Sequence, residues 1–144
     1  MSSGLHVLIV EDKPLTALML TEMLADLGYA SADVAATEQQ AIALARRHRP
    51  DLITTDVRIR GGSGPAAVAS LIRDGPLPVV YVTGNPEELD EGLRPVTVVK
   101  PVCEALLARA IERALLRAAA GTLPDLPVPD PAGEDEGASP SRGS

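Results

Sequence analysis

The sequence predicts an open α/β fold, (βα)5, in which a parallel five-stranded sheet is covered by helices on both faces. Three observations carry that expectation. Short, almost continuously apolar runs recur along the chain: His6-Val7-Leu8-Ile9-Val10, Asp51-Leu52-Ile53-Thr54-Thr55, Val79-Val80-Tyr81-Val82 and Val96-Thr97-Val98-Val99. Segments with helical spacing separate them. Each run closes on a chemically active side chain: Glu11 and Asp12, then Asp56, Thr83 and Lys100.

Taken in order, the first run is a strand that ends at Glu11. Pro14 to about Leu27 reads as a helix, with Pro in its first turn, Leu15, Leu18, Met19 and Met23 on one face, and Gly28 at its end. Residues 31–36 form a weak second strand. Thr37-Glu38-Gln39-Gln40 resembles a capping box and opens a helix through Ala41, Leu44 and Ala45 to about His48, where Pro50 stops it. The third strand ends at Asp56, and Gly61-Gly62-Ser63-Gly64 is a turn before a helix from about Pro65 to Arg73. After the fourth strand, only about two helical turns fit between Asn85 and Gly92-Pro95. The fifth strand leads into a helix over 103–119, with Leu107, Ala110, Ile111, Ala114 and Leu115 at helical spacing.

The chain has 144 residues, is 45% hydrophobic, and holds no Phe or Trp, so its core is aliphatic. Its net charge is −7, of which −4 falls on residues 122–144. Neither part carries the basic face of a nucleic-acid binder. From Thr122 onward five prolines, five acids and several Gly and Ser residues cannot bury a core, so 122–144 is expected to be a disordered tail behind a domain over 1–121. A single Cys103 excludes an internal disulfide and fits a reducing compartment; it reads as small buried filler at a helix start. No segment reaches membrane-spanning length, and the expectation is a cytoplasmic protein.

In a parallel sheet of this kind the carboxyl ends of the strands form the ligand crevice, so Glu11, Asp12, Asp56, Thr83 and Lys100 should converge. Three carboxylates, a hydroxyl and an ammonium suit phosphoryl transfer beside a divalent cation. A carboxylate can accept a phosphoryl group, and the transfer needs positioning and charge neutralisation more than acid–base work. Each residue alone has an ordinary reading: a solvated helix start for Glu11-Asp12, a strand-end cap for Asp56, a β-former for Thr83, a surface charge for Lys100. His6 and His48 show no partner pattern and are read as a strand residue and a helix-end cation, neither a phosphodonor nor a metal ligand.

Val10-Glu11-Asp12, the Asp56 after strand three, Val82-Thr83-Gly84 and Val99-Lys100-Pro101 stand in order at four strand ends. In this the chain resembles the receiver domain of two-component response regulators over about residues 5–119. That resemblance implies a flavodoxin-like sheet of order 2-1-3-4-5 with a shortened fourth helix. It implies Asp56 as phosphoacceptor, Mg²⁺ on Asp12, Asp56 and the backbone carbonyl of Arg58 with Glu11 acting through water, and Thr83 and Lys100 on phosphoryl oxygens. It further implies a stand-alone, monomeric or weakly dimeric signalling protein. The phosphoryl source would be a sensor histidine kinase or histidine phosphotransfer protein. Output would go through an unknown downstream protein or a phosphorelay, with slow autodephosphorylation and no dedicated enzymatic activity.

The pattern departs from the family at two places. Thr97 stands where receivers carry Tyr or Phe, and Val102 replaces the aromatic after Lys-Pro. Switching is therefore expected to run through residues 84–92 and the Lys100-Pro101 turn. Pro78, Tyr81, Thr83 and Gly84 match in part an alphaproteobacterial subgroup whose fourth strand reads Pro-Phe-x-Phe-Ala-Thr-Gly. Two other readings are weaker. An aspartyl-phosphate phosphatase needs an acid two positions after the nucleophile, where Arg58 stands, and a flavin carrier needs a hydroxyl-rich loop where Glu11-Asp12-Lys13 stands.

Overall fold

A computed structural model describes residues 4–121; the tail expected at 122–144 lies outside the described residues. The element order is β1 (Leu5–Val10), α1 (Pro14–Asp26), β2 (Tyr29–Ala35), α2 (Glu38–Arg47), β3 (Leu52–Thr55), a two-residue hairpin β4 (Arg58–Ile59) and β5 (Gly62–Ser63), α3 (Gly64–Leu71), β6 (Val79–Thr83), β7 (Thr97–Val99) and α4 (Glu104–Ala119). The five long strands form one parallel sheet in the order β2-β1-β3-β6-β7, as expected once the hairpin is set aside. The chain steps from β1 outward to β2, then back across to β3, so the order reverses between β1 and β3. That reversal is where a doubly wound sheet opens its crevice. Helix α1 packs on β1 and β2, and α2 and α3 pack on each other; the right-handed crossovers that parallel strands require place α1 and α2 on opposite faces.

Register delivers the strand-end residues to one edge. Val10 pairs with Thr55, so Glu11 and Asp56 leave the sheet side by side; Thr83 pairs with Val99, so Lys100 leaves beside Thr83. Backbone bonds continue the ladder one step further: Asp56 N–H donates to the Val10 carbonyl at 3.1 Å and Lys100 N–H to the Thr83 carbonyl at 3.0 Å.

The core is aliphatic as expected, with Val7, Ile9, Leu24, Leu52, Ile53, Val68, Val80, Leu93 and Leu107 fully enclosed and Tyr81 as the one large aromatic among them. Helix α1 buries a different face from the one expected. Ala17, Leu20 and Leu24 point inward, while Leu15 and Leu18 are largely exposed and Met19 and Met23 are half-buried. The helix is apolar nearly all round, so spacing alone could not choose the face; burying Leu20 and Leu24, worth roughly 1.5–3 kcal/mol each, decides it. In α4, Leu107, Ala110, Ile111 and Ala114 are buried as expected but Leu115 is not.

Helix α2 starts as the capping box suggested. The Thr37 hydroxyl accepts from Gln40 N–H at 3.0 Å, and the Gln40 side chain accepts from Ala36 N–H at 2.8 Å. The fourth helix is reduced and irregular, as expected: two 3-10 helices, Pro86–Glu88 and Glu91–Val96, join β6 to β7. Cys103 is not buried filler. It is the N-cap residue of α4, in extended backbone before the first turn, and is exposed.

Candidate functional site

Lys100 stands at the centre of the crevice. Its Nζ lies 2.9 Å from Glu11 Oε1 and 2.8 Å from Asp56 Oδ2, so one ammonium bridges two buried carboxylates that are far apart in sequence. Each carboxylate gives its second oxygen to backbone. Glu11 Oε2 accepts from Lys13 N–H at 3.1 Å, and Asp56 Oδ1 accepts from Val57 N–H at 2.7 Å. Charge-assisted bonds of this kind fix both side chains in place. Burial works against the Lys100 ammonium, but the hydrogen bonds to Asp56 and Glu11 outweigh it, and its pKa is raised above the ordinary 10.5.

Asp12, the next residue on the loop, is half-buried and makes no hydrogen bond or ion pair among the described residues. Thr83 is buried at the end of β6, and its hydroxyl oxygen accepts from Asn85 N–H at 3.0 Å. That bond uses the oxygen and leaves the hydroxyl hydrogen available to an anion. Arg58 lies on β4, directly after the Asp56 turn, with an exposed side chain. Its guanidinium pairs with Glu88 in the first 3-10 helix, which raises the guanidinium pKa further.

Glu11, Asp56 and Lys100 are thus brought into contact, with Asp12 and Thr83 on the adjoining strand ends. Three carboxylates against one ammonium leave the crevice negative. Its carboxylate oxygens, those of Asp12 unpaired among the described residues, are hard donors that suit a divalent cation such as Mg²⁺ rather than a thiophilic one, so the residues present fit that ion.

Two residues that support the site escaped the sequence reading. Gly64 opens α3 so close to the Asp56 turn that a Cβ there would stand 1.8 Å from the Asp56 carbonyl oxygen and 2.4 Å from Thr55 Oγ1. Its N–H also donates to the Val57 carbonyl at 2.9 Å, tying the helix start to the residue after Asp56. The local signal was Ser63-Gly64-Pro65, an N-cap followed by a residue with no side chain; Ser63 Oγ does accept from Ala66 N–H at 3.1 Å. Glu88, the partner of Arg58, carried no signal at all.

Comparison with known proteins agrees with this geometry. The family described as the response regulator receiver domain matches residues 7–112. The phyllosphere-induced regulator PhyR of Methylorubrum extorquens is 35% identical over 115 residues, covering 76% of this chain and 43% of that protein. The transcriptional regulatory protein PdtaR of Mycobacterium tuberculosis is 34% identical over 117 residues, covering 78% of this chain and 57% of that protein. The chain therefore spans roughly half the length of these two curated relatives. The solution structure of the PhyR receiver domain from Erythrobacter litoralis superimposes with a TM-score of 0.68 at 33% identity, covering 78% of this chain and 91% of that domain. With its sheet order, its strand-end residues and a family match across most of its length, this chain belongs to the response regulator receiver domains.

Proposed function

We propose that Asp56 accepts a phosphoryl group from a sensor histidine kinase or a histidine phosphotransfer protein. The observation that carries this reading is the bridge from Lys100 Nζ to Asp56 Oδ2 at 2.8 Å, at the point where the strand order reverses. An oxygen of Asp56 attacks the phosphorus, the bond from phosphorus to the donor's histidine nitrogen breaks, and that nitrogen leaves with the electron pair. Lys100 moves its ammonium from the carboxylate toward a phosphoryl oxygen, and the Thr83 hydroxyl donates to another. Val57 N–H keeps the Asp56 carboxylate aimed out of the strand end. Asp12, Asp56 and the Arg58 carbonyl would hold Mg²⁺, with Glu11 acting through water; the ion neutralises charge that would otherwise repel the donor.

The output is binding to a downstream protein or onward phosphorelay, and the chain is a phosphoacceptor with slow autodephosphorylation rather than a dedicated enzyme. The position where an aspartyl-phosphate phosphatase places its acid holds Arg58, whose guanidinium is engaged by Glu88. No helix among the described residues is long and apolar enough to cross a membrane, and a cytoplasmic location suits a partner of kinases.

Incubation with a small phosphodonor and Mg²⁺, followed by intact mass, tests this. The wild-type chain should gain one phosphoryl group, and Asp56→Asn none. Undiminished phosphorylation of Asp56→Asn, or of the wild type in excess EDTA, would refute it.

A further inference from the structure

The amino end of the sheet holds a second concentration of ligating side chains, one the phosphorylation chemistry does not use. His6, the second residue of β1, is 4% exposed. Its Nδ1 lies 2.7 Å from Ser31 Oγ and its Nε2 lies 3.1 Å from Asp33 Oδ2, both on β2. The pairing of His6 with Ser31 puts Asp33 at the diagonal position on the same face. His48, at the C-terminal cap of α2, stacks its ring on that of His6, with centroids 3.8 Å apart and planes 10° from parallel. One ligand atom each from His6, Asp33 and His48 lies within 4.8 Å of the other two, the only such group of His, Cys, Asp or Glu among the described residues.

Three physical features make this more than a packed corner. The donor set is two imidazoles and one carboxylate, which suits Zn²⁺-type cations and not Mg²⁺. The 3.1 Å between His6 Nε2 and Asp33 Oδ2 is close to the edge of a tetrahedron with metal–ligand bonds of about 2.0–2.1 Å. Ser31 supplies the outer partner that a ligating imidazole needs: a cation on Nε2 would select the tautomer in which Nδ1–H donates to the Ser31 hydroxyl, 2.7 Å away. The frame is also stiff. His6 N–H donates to Asp51 Oδ2 at 2.8 Å, and Asp51 N–H donates to the His6 carbonyl at 2.7 Å. Only His48 has to move. It is exposed, so its ring has room to turn out of the stack, and one of its nitrogens already lies within 4.8 Å of the other two ligand atoms.

We infer that His6, Asp33 and His48 form a second metal site, for a first-row divalent cation of the Zn²⁺ class, with solvent completing the coordination. Its occupancy clamps the end of α2 onto β1 and β2. Five residue steps along β1, about 16 Å, separate His6 from Glu11, so the two ends of β1 sort cations by hardness.

The chain has two histidines, so their ring resonances are unambiguous. The untagged, metal-stripped full chain is titrated with Zn²⁺ by calorimetry in excess Mg²⁺, with imidazole NMR in parallel and Co²⁺ absorption as a coordination probe. One equivalent should bind, both histidine ring signals should shift, and the melting temperature should rise. His48→Ala and Asp33→Asn alter half-buried or exposed side chains, so both variants should fold, and each should weaken Zn²⁺ binding by about tenfold or more. Absence of binding, or binding that both variants leave within about twofold, overturns the inference. So does binding that is lost in Asp12→Ala and kept in His48→Ala, since the acidic crevice would then be the site.

Discussion

Lys100→Met keeps the apolar stem of the side chain and removes only the charge that bridges Glu11 and Asp56. The two carboxylates are 1% and 8% exposed, and the ammonium sits 2.9 and 2.8 Å from them, so water can replace it only in part. At an effective dielectric near 20, each contact is worth about 6 kcal/mol of Coulomb energy before desolvation is subtracted. Desolvation cancels much of that, and removing one partner of a buried pair typically costs about 3–5 kcal/mol. Asp56→Asn should rescue part of the loss, because Glu11 then no longer faces a second carboxylate. In urea denaturation at neutral pH with EDTA, the double variant should be less destabilised than the sum of the two single variants by about 1–3 kcal/mol. Mg²⁺ should narrow the Lys100→Met deficit, since a cation bound only to the folded state stabilises it by mass action. A coupling below about 0.5 kcal/mol would show that the bridge is geometric and not energetic, and the account of Lys100 as the site's charge balance would fail.

Three further outcomes follow from the same geometry. Stability should hold from neutral pH to about 10 and fall above it. Burial of Lys100 is outweighed by its bonds to Asp56 and Glu11, and burial with the nearby Asp51 charge raises Tyr29 above 10.0. Both groups therefore lose their protons first in the unfolded chain, and Lys100→Met with Tyr29→Phe should flatten the fall in a pH series of urea midpoints. Gly64→Ala drives a Cβ to 1.8 Å from the Asp56 carbonyl. It should lower the folding free energy by about 1–3 kcal/mol or more and slow phosphorylation, and an unchanged urea midpoint would contradict the close approach. Thr54→Val removes a fully buried hydroxyl that has no hydrogen-bond partner, and should stabilise by about 1 kcal/mol; a lower melting temperature would refute this.

The crevice edge was legible because strand ends are marked twice, once by the stop of an apolar run and once by a polar side chain. Glu11, Asp56, Thr83 and Lys100 all show both marks, and parallel topology does the rest. What stayed illegible depends on pairings across long separations or on a choice between equal faces. Nothing local links His6 to Asp33, 27 residues on, or Arg58 to Glu88, 30 residues on; the fold alone makes them neighbours. Helix α1 offered apolar residues on every side, so the inward face was set by the sheet it meets and not by its own period. Cys103 looked like filler by residue type, yet a cap position before α4 keeps it in solvent.

The segment between Thr83 and Lys100 shows how a composition limit becomes a geometric one. Parallel neighbours need a crossover, usually through an α-helix. Here Pro86, Gly92 and Pro95 break the residues that would build one. A 3-10 helix rises about 2.0 Å per residue against 1.5 Å for an α-helix, so fewer residues reach from β6 to β7. The cost of its poorer hydrogen bonds is met by anchoring. Leu89, Leu93 and Val96 are buried, Arg117 donates to the Gly92 carbonyl at 2.8 Å, and the Thr97 hydroxyl donates to the Leu93 carbonyl at 2.8 Å. Thr97 is thus committed to holding this turn, whereas an aromatic ring there would have no equivalent bond to make. The turn is joined to the crevice at both its early residues, through Thr83 Oγ1 to the Asn85 amide and through Arg58 to Glu88. Thr83 closes β6 and Arg58 opens β4 two residues after Asp56, so both links run from the residues around the crevice into this segment.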